Sequence, residues 1–485
     1  MTQHRPTSSA APLLAANPHD EGRGWHAGRL ELLAVVHVAV LLVFTSWDFG
    51  GETDFARVAI CWWGTLAVPI AGLVCLRRWE RRDGMPAALR WLWPMVVFDC
   101  LVLLSTLNPS FSYAMIGGVR TLVNTGARSR GPSCALPVAS LQDLWQFNAI
   151  YLSCFNLTIA VVRRRVLRAL LMIFTANALA LAVMGTFQKL ANATGLYFGL
   201  QPSPNSEFFA TFIYHNHWGA YVTLGTAAAL GLLFHHARHG VRSGERHSPV
   251  LFGLVATLFL AAAVPLSTSR SGALLVSALI TAALVQWLRH VSRMRRAAGR
   301  ATGPPLVLAA AVVALGLGGI YLLGRPLIDQ RAATTRRQLE AIRLRGDLGN
   351  RTQLYADTWR MAREKPWFGW GLGTYAEVFP IFNQQLSVEG WVPFYREAHS
   401  DWLQALAEVG LTGTVLLGLI AALPLVAAFR LGPPGVLPAY LLAGCGLLVL
   451  YALVEFPFAN PAVLEAFWCC LFTAVRYHKL TVANV

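Results

Sequence analysis

Charge is scarce in this chain. Only 13% of its 485 residues are Asp, Glu, Lys or Arg, against roughly 25% in an ordinary soluble domain, and that deficit excludes such a domain. With 55% hydrophobic residues and a mean hydropathy of +0.49, the chain reads as a polytopic membrane protein. Paired cysteines are also missing. Eight cysteines are scattered, six of them (Cys61, Cys75, Cys100, Cys154, Cys469 and Cys470) in or beside apolar runs, with no CxxC pair and no His/Cys spacing suited to zinc. They read as packed or lipid-facing thiols. No acidic metal-binding motif of the DxD kind occurs in the outward loops, so neither a metal nor any other cofactor is expected. No apolar core precedes Leu30, so residues 1–28, rich in Ala, Pro, Ser and His, read as a disordered tail rather than a cleaved signal. Acids are outnumbered, 24 against 40 Lys and Arg, for a net charge of +16. Such a charge can point to nucleic acid, but in a membrane chain basic residues set topology and meet anionic headgroups. Membrane lipids, and no nucleic acid, are the expected contacts.

Beyond Leu30 the sequence holds twelve apolar runs of about spanning length, roughly 20 residues with latitude for tilt. The predicted fold is all-α: about twelve transmembrane helices and one long periplasmic loop containing short helices. Residues 29–324 would hold helices 1–9, the ninth at 305–324; residues 325–401 form the loop; and 402–485 hold helices 10–12 and a cytoplasmic tail. Clusters such as Arg77/Arg78/Arg81/Arg82/Arg90, Arg163/Arg164/Arg165/Arg168, Arg238/Arg242/Arg246, Arg289/Arg293/Arg295/Arg296/Arg300, Arg430 and Arg476/Lys479 mark cytoplasmic loops and alternate correctly with twelve spans and both termini inside. Within the long loop, 330–346 carries arginines at helical spacing, and 350–365 reads as a second amphipathic helix with Leu354, Trp359 and Met361 as its apolar members. A loop of this length is uncommon unless functional.

Titratable chemistry gathers where that loop meets the tenth run. Phe394-Tyr-Arg-Glu-Ala-His-Ser-Asp runs into an apolar stretch, which puts His399 at the junction of a polar loop and a membrane helix. His399-Ser400, nine residues, then Gly410-Leu-Thr-Gly-Thr414 resembles the His-[Asn/Ser/Gln]-x9-Gly-x-x-Gly-Thr signature of the O-antigen ligase/polymerase superfamily. Upstream, Lys365-Pro-Trp-Phe-Gly-Trp-Gly-Leu-Gly-Thr-Tyr375 is similar to a glycine-rich stretch that many family members place before the histidine. Its glycines permit positive φ, so a turn folded onto a ligand or the membrane is expected, against the plainer reading of an ordinary turn.

Arg270, in Leu266-Ser-Thr-Ser-Arg-Ser-Gly272, reads either as an arginine snorkelling to the headgroups or as a bidentate phosphate fork; the resemblance favours the fork. Arg351 is the second expected diphosphate ligand, with Arg343, Arg345, Arg360 and Arg396 as substitutes. His215, Asn216 and His217 sit near the mouth of the sixth run and line the expected site, as do Arg396 and Glu408. The two histidines stand two apart and so point to different helix faces, which disfavours a metal. Glu408 and Glu455 are candidate functional carboxylates, with pairing to an arginine expected before direct catalysis. Gly410, Gly413 and Gly418 read as close-packing positions.

The resemblance implies a metal-independent glycosyltransferase of the bacterial inner membrane. It would move a glycan from an undecaprenyl-diphosphate donor to a hydroxyl of lipid A-core, another glycan or a protein. His399 would be the base and Arg270 and Arg351 the diphosphate cations. A lipid-glycan flippase or other transporter is the alternative, but the paired halves with interrupted helices of a transporter are not evident in the sequence.

Overall fold

The structure is a computed structural model that describes residues 18–125, 131–239, 249–299, 307, 350–384 and 394–483. Its helices are α1 (Pro18–Trp47), α2 (Asp54–Thr65), α3 (Ala67–Glu80), α4 (Trp93–Thr106), α5 (Pro137–Ala160), α6 (Arg164–Leu190), the short turn α7 (Leu196–Gly199), α8 (His215–His239), α9 (Pro249–Leu266) and α10 (Arg270–Ala297). After the break come α11 (Asn350–Glu364), the short α12 (Tyr375–Val378), α13 (Asp401–Phe429), α14 (Val436–Tyr451) and α15 (Pro461–Val482). The ninth apolar run, the 330–346 arginines, Arg242, Arg246 and Arg300 lie outside the described residues. Helix α1 already starts at Pro18, inside the stretch read from sequence as a disordered tail; proline is well suited to a first helical position.

Seven helical segments among the described residues are long and apolar enough to cross a membrane: Gly28–Trp47, Asp54–Glu80, Ala87–Thr106, Arg164–Leu190, Pro249–Leu266, Arg270–Ala297 and Asp401–Phe429. Helices α5, α8 and α15 are long but less apolar, and the reason is their place. Much of their surface is buried inside the bundle, where polar side chains find partners that lipid would not offer. Thr45 donates to Glu465 at 3.1 Å, Asn156 to the Ala67 carbonyl at 2.8 Å, and Asn177 to Ser46 and Tyr221 at 2.8 and 2.9 Å.

Short connections make consecutive helices antiparallel, so helix ends gather in two sets. One set holds the C-termini of α1, α4, α6, α9 and α14 with the N-termini of α2, α5, α8, α10, α13 and α15. A smaller apolar core sits at that end, built from Ala135 and Leu136, Leu354 and Met361 of α11, Trp370, Tyr375, Phe379 and Ala398. Trp359, expected on the buried face of α11, is instead 49% exposed. A hairpin of β1 (Phe111–Ile116) and β2 (Val119–Asn124) also lies between α4 and α5, closed by Gly117 and Gly118, both at positive φ as a two-residue hairpin turn requires. An all-α reading of the sequence overlooked it.

Helix α13 is broken, and the break organises this end of the molecule. Gly410 has φ 64° and ψ −171°, so the helix cannot make its regular ladder there. The glycine-rich stretch supplies the missing partners. Trp370 N and Gly371 N donate to the carbonyls of Ala407 (3.0 Å) and Glu408 (2.7 Å), while Leu411 N and Thr412 N donate to those of Pro366 (2.8 Å) and Trp367 (3.1 Å). Gly369, Gly371 and Gly373 all have positive φ, and a Cβ on Gly369 would lie 2.3 Å from the Glu408 carbonyl group. The stretch thus folds onto the broken helix.

Gly410 and Gly418 therefore differ in kind. A Cβ at Gly410 would stand 2.4 Å from the Trp367 carbonyl carbon, whereas one at Gly418 meets nothing within 4 Å and so serves no close packing. Gly410→Ala should lower thermal stability in matched detergent by about 2 kcal/mol or more, combining positive-φ strain with displacement of the loop. Gly418→Ala should leave the melting temperature unchanged or slightly raised; equal losses in the two variants would show that the break is not held by this contact.

Candidate active site

His399 lies two residues before α13, whose N-cap Ser400 accepts from Leu403 N at 3.3 Å. Its own backbone is left-handed, φ 53°, a conformation that costs energy for a residue with a Cβ and is tolerated by His more than most. The turn brings the imidazole to Glu455, in the connection between α14 and α15: Nδ1 is 3.7 Å from Oε2. Nδ1 is enclosed, while the side chain as a whole is 26% exposed. At 3.7 Å the contact is longer than a hydrogen bond, and Nδ1 makes none. The two loops are also joined through their main chains, Asp401 N donating to the Glu455 carbonyl at 3.2 Å and Phe458 N to the Asp401 carboxylate at 2.9 Å.

Glu455 is the convergence point. Arg351 Nη2 donates to its Oε1 at 2.5 Å, Asn216 Nδ2 to the same oxygen at 3.1 Å, and the Tyr214 hydroxyl to Oε2 at 3.5 Å. Arg351 and Tyr355 stand four apart on α11 and so share a face. Arg351 Nη1 reaches the Val454 carbonyl at 3.3 Å, and the Tyr355 hydroxyl reaches the His399 carbonyl at 2.9 Å. Burial alone would raise the Glu455 carboxyl, but the His399 and Arg351 side chains outweigh it and hold the group below the usual carboxylate range. The Arg351 side chain is 47% exposed and, with five N–H donors, keeps capacity for a further anion.

Arg270 opens α10 and is exposed. Its neighbours fix where it stands: Ser269 and Ser271 donate to Asn216 Oδ1 at 2.8 and 3.3 Å, and Ser271 also bonds the Tyr451 hydroxyl at 2.7 Å. Asn216 thereby links Arg270's turn to Glu455. Close approach of α8 and α10 at Gly219 and Gly272 makes this possible, since a Cβ on Gly219 would lie 2.5 Å from Ser269 Oγ.

A second carboxylate–histidine pair lies beside the first. His217 Nδ1 is 2.9 Å from Glu52, which also accepts from Asn460 Nδ2 at 2.7 Å. Burial opposes ionisation of Glu52, but His217, Asn460 and the nearby Arg396 together hold it low. Phe456 stands between the pairs, with ring centroids 4.6 Å from His399 and 5.0 Å from His217. His215 turns to Glu207 instead, 3.4 Å away. Glu408 stands apart from the His399 cluster: its carboxylate accepts from Gly373 N and Tyr375 N at 2.9 and 3.1 Å and pins the glycine-rich stretch. The structure thus gathers His399, Arg351, Asn216 and His217, with Arg270's turn beside them, and uses Glu408 as scaffold. Among the described residues no three His, Cys, Asp or Glu side chains gather as a metal site requires. Sequence reading anticipated an arginine partner for Glu455 but passed over Glu52, Tyr214, Tyr355 and Phe456. Glu52 had a visible signal, a carboxylate in the tight Gly50-Gly51-Glu52-Thr53 turn between two apolar runs.

The bundle defines a helical membrane protein with a histidine–carboxylate–arginine cluster at one end. Residues 255–418, about a third of the chain, match the family model for O-antigen ligase (Wzy_C). That match supports membership of the O-antigen ligase superfamily, in a bacterial membrane setting. It includes Arg270, Arg351 and His399 but ends before Glu455. No curated protein matches the chain significantly.

The depressed Glu455 carboxyl gives a signed expectation. A group whose folded value lies below its unfolded value adds stability that is complete above the unfolded value of about 4.5 and is lost as pH falls through the lower folded one. Wild-type melting temperature should therefore drop on acidification below about pH 4.5, and Glu455→Gln should show a shallower acid limb. An identical limb in the two proteins would mean that Glu455 does not titrate as this geometry requires.

Proposed function

We propose that the protein is a metal-independent glycosyltransferase that moves a glycan from an undecaprenyl-diphosphate donor to an acceptor hydroxyl at the periplasmic face. The observation that carries this reading is the buried Glu455 carboxylate, which pairs with a partly exposed histidine and a partly exposed arginine at once. In the reaction, His399 Nε2 takes the acceptor's proton as the acceptor oxygen bonds to the anomeric carbon. The bond from that carbon to the diphosphate breaks, and the undecaprenyl diphosphate leaves with the electron pair. Glu455 opposes the charge that develops on the imidazolium, while Arg351 and Arg270 meet the charge that grows on the leaving group. Such a donor already carries its leaving group, so proton removal and cationic stabilisation are what remains for the protein to supply. The acceptor is lipid A-core, another glycan or a protein hydroxyl; the family relationship covers all of these chemistries.

A transporter would also need charged side chains at membrane depth, but it does not require an imidazole backed by a carboxylate beside arginines. His399→Ala should cut glycan transfer by roughly 10²–10⁴ while leaving donor affinity nearly unchanged. Arg351→Ala should weaken donor binding and slow transfer together, and lysine should restore only part of either, since it lacks the planar fork. Binding of undecaprenyl-diphosphate glycan and transfer rate, measured side by side in purified protein with EDTA present, separate these roles. Wild-type transfer by His399→Ala would return the weight to the transporter.

Orientation is a separate expectation. Gln384 and Ala298 are both exposed, and single cysteines there on a cysteine-free background should label from the periplasmic and the cytoplasmic side respectively. Labelling of Gln384→Cys only from the cytoplasm would place the candidate site on the wrong face for this reaction.

A further inference from the structure

Each oxygen that Arg351 holds has a second donor already in place. Its Nη2 donates to Glu455 Oε1 at 2.5 Å and its Nη1 to the Val454 carbonyl at 3.3 Å. Asn216 Nδ2 meets the same Oε1 at 3.1 Å, and the Tyr355 hydroxyl stands 3.3 Å from the same carbonyl. Withdrawing the guanidinium would therefore strand neither oxygen. His399 is in the reverse position. Its Nδ1 is enclosed and makes no hydrogen bond, although Glu455 Oε2 lies only 3.7 Å away. Oε2 itself is met by the Tyr214 hydroxyl at no closer than 3.5 Å. The carboxylate thus directs its stronger contacts through Oε1, towards the arginine, and leaves the enclosed histidine nitrogen short of a partner, which is costly for a buried polar atom.

We infer that the diphosphate of the donor competes with Glu455 for Arg351, and that the carboxylate so released closes onto His399 Nδ1. The competition rests on the glycosyltransferase reading above and gives Glu455 a positioning role that changes when the donor arrives. While they are paired, Arg351 and Glu455 present little net charge to an incoming anion, and both Nη atoms face protein oxygens rather than offering their fork to a phosphate. The Arg351 side chain is 47% exposed and that of Glu455 only 6%, so the arginine can turn outward while the carboxylate stays. A buried carboxylate that loses its cation is destabilised, and the imidazole is there to answer it. Closing by about 1 Å brings Nδ1 within hydrogen-bonding range. The proton then sits on Nδ1, the lone pair on Nε2, and the carboxylate stabilises the imidazolium that forms. Tyr355 steadies the change, because its hydroxyl holds the His399 carbonyl at 2.9 Å from the same helix that carries Arg351. Base strength therefore follows donor binding, and the acceptor hydroxyl loses its proton when a leaving group is in place to be displaced.

The expected signature is a split between binding and transfer. In purified full-length protein with EDTA present, Glu455→Gln keeps the shape and loses the charge. It should bind undecaprenyl-diphosphate glycan about fivefold or more tightly, yet transfer it at least about tenfold more slowly at saturating donor. Structural damage alone would weaken binding and transfer alike. Each half has its own control. In an Arg351→Ala background the same change should tighten binding far less, and in a His399→Ala background it should slow transfer no further. Unchanged or weaker binding in Glu455→Gln, or equal tightening without Arg351, overturns the competition; slowing that persists without His399 overturns the closure. A wild type that does not bind the donor at all overturns the glycosyltransferase reading and this inference with it. Should Glu455→Gln not purify folded, the wild type decides. The Nδ1 resonance of isotope-labelled His399, assigned by its loss in His399→Ala, should move downfield on addition of undecaprenyl diphosphate as the hydrogen bond forms; an unmoved resonance overturns the inference.

Discussion

One buried carboxylate, Glu455, sets the geometry of the candidate centre. It is nearly enclosed, so an ionised carboxylate there must be compensated or the fold would expel it. Compensation comes from segments far apart in sequence: Arg351 on α11, His399 before α13, and Asn216 and Tyr214 at the start of α8. Each partner is drawn to the same two oxygens, which makes the relative placement of three loops an electrostatic requirement rather than a matter of loop length. The pairing leaves the Arg351 guanidinium half exposed. A charge that would otherwise destabilise the end of the bundle becomes the anchor of an imidazole and a guanidinium together.

That anchor works only because the long loop has a fixed floor. The break at Gly410 opens the α13 ladder, and residues 366–371 fill it with main-chain hydrogen bonds in both directions. Glu408 adds side-chain contacts to Gly373 N and Tyr375 N, and the Trp370, Tyr375 and Phe379 cluster packs against Leu354 and Met361 of α11. Lys365 closes the other side, donating to Ser110 and Ser133 at 2.7 and 2.9 Å over the Trp370 ring, and burial pushes its ammonium down to about 8. The helix that carries Arg351 and Tyr355 is thereby tied to the helix that His399 precedes.

Sequence pattern revealed the parts of this arrangement that are local. The apolar runs, the amphipathic α11, the junction at His399 and the two glycine motifs can each be read from a few consecutive residues, because burial periodicity and glycine conformational freedom are local properties. What the pattern could not reveal is pairing at long range. The two glycine motifs are each other's partners, yet neither states that the other fills its broken ladder. Glu408 and Glu455 look alike as carboxylates near membrane helices; only their three-dimensional neighbours make one a scaffold and the other the centre of charge. Trp359 is apolar and at helical spacing, yet it faces out because α11 presents its Leu354–Met361 side to the loop core. The hairpin at 111–124 was missed because it is short and sits in a loop read by its charge rather than its alternation.

The two ends of the bundle divide the chain's ionisable groups by kind. Around His399 the fold places carboxylates against histidines and single arginines, so that each charge is met and a proton has somewhere to go. Around Arg78 it gathers arginines with Asp83 over an apolar floor, and Arg77 pairs with Glu80 at 3.8 Å. The same low dielectric explains both. Groups of opposite sign brought together in it form a stable, directional site with little help from solvent, whereas groups of one sign are tolerated only near the headgroups, where counter-charge is supplied by the bilayer. A chain with few charges has thus placed them at the ends of the bundle, pairing carboxylates with histidines and an arginine at one and gathering arginines at the other.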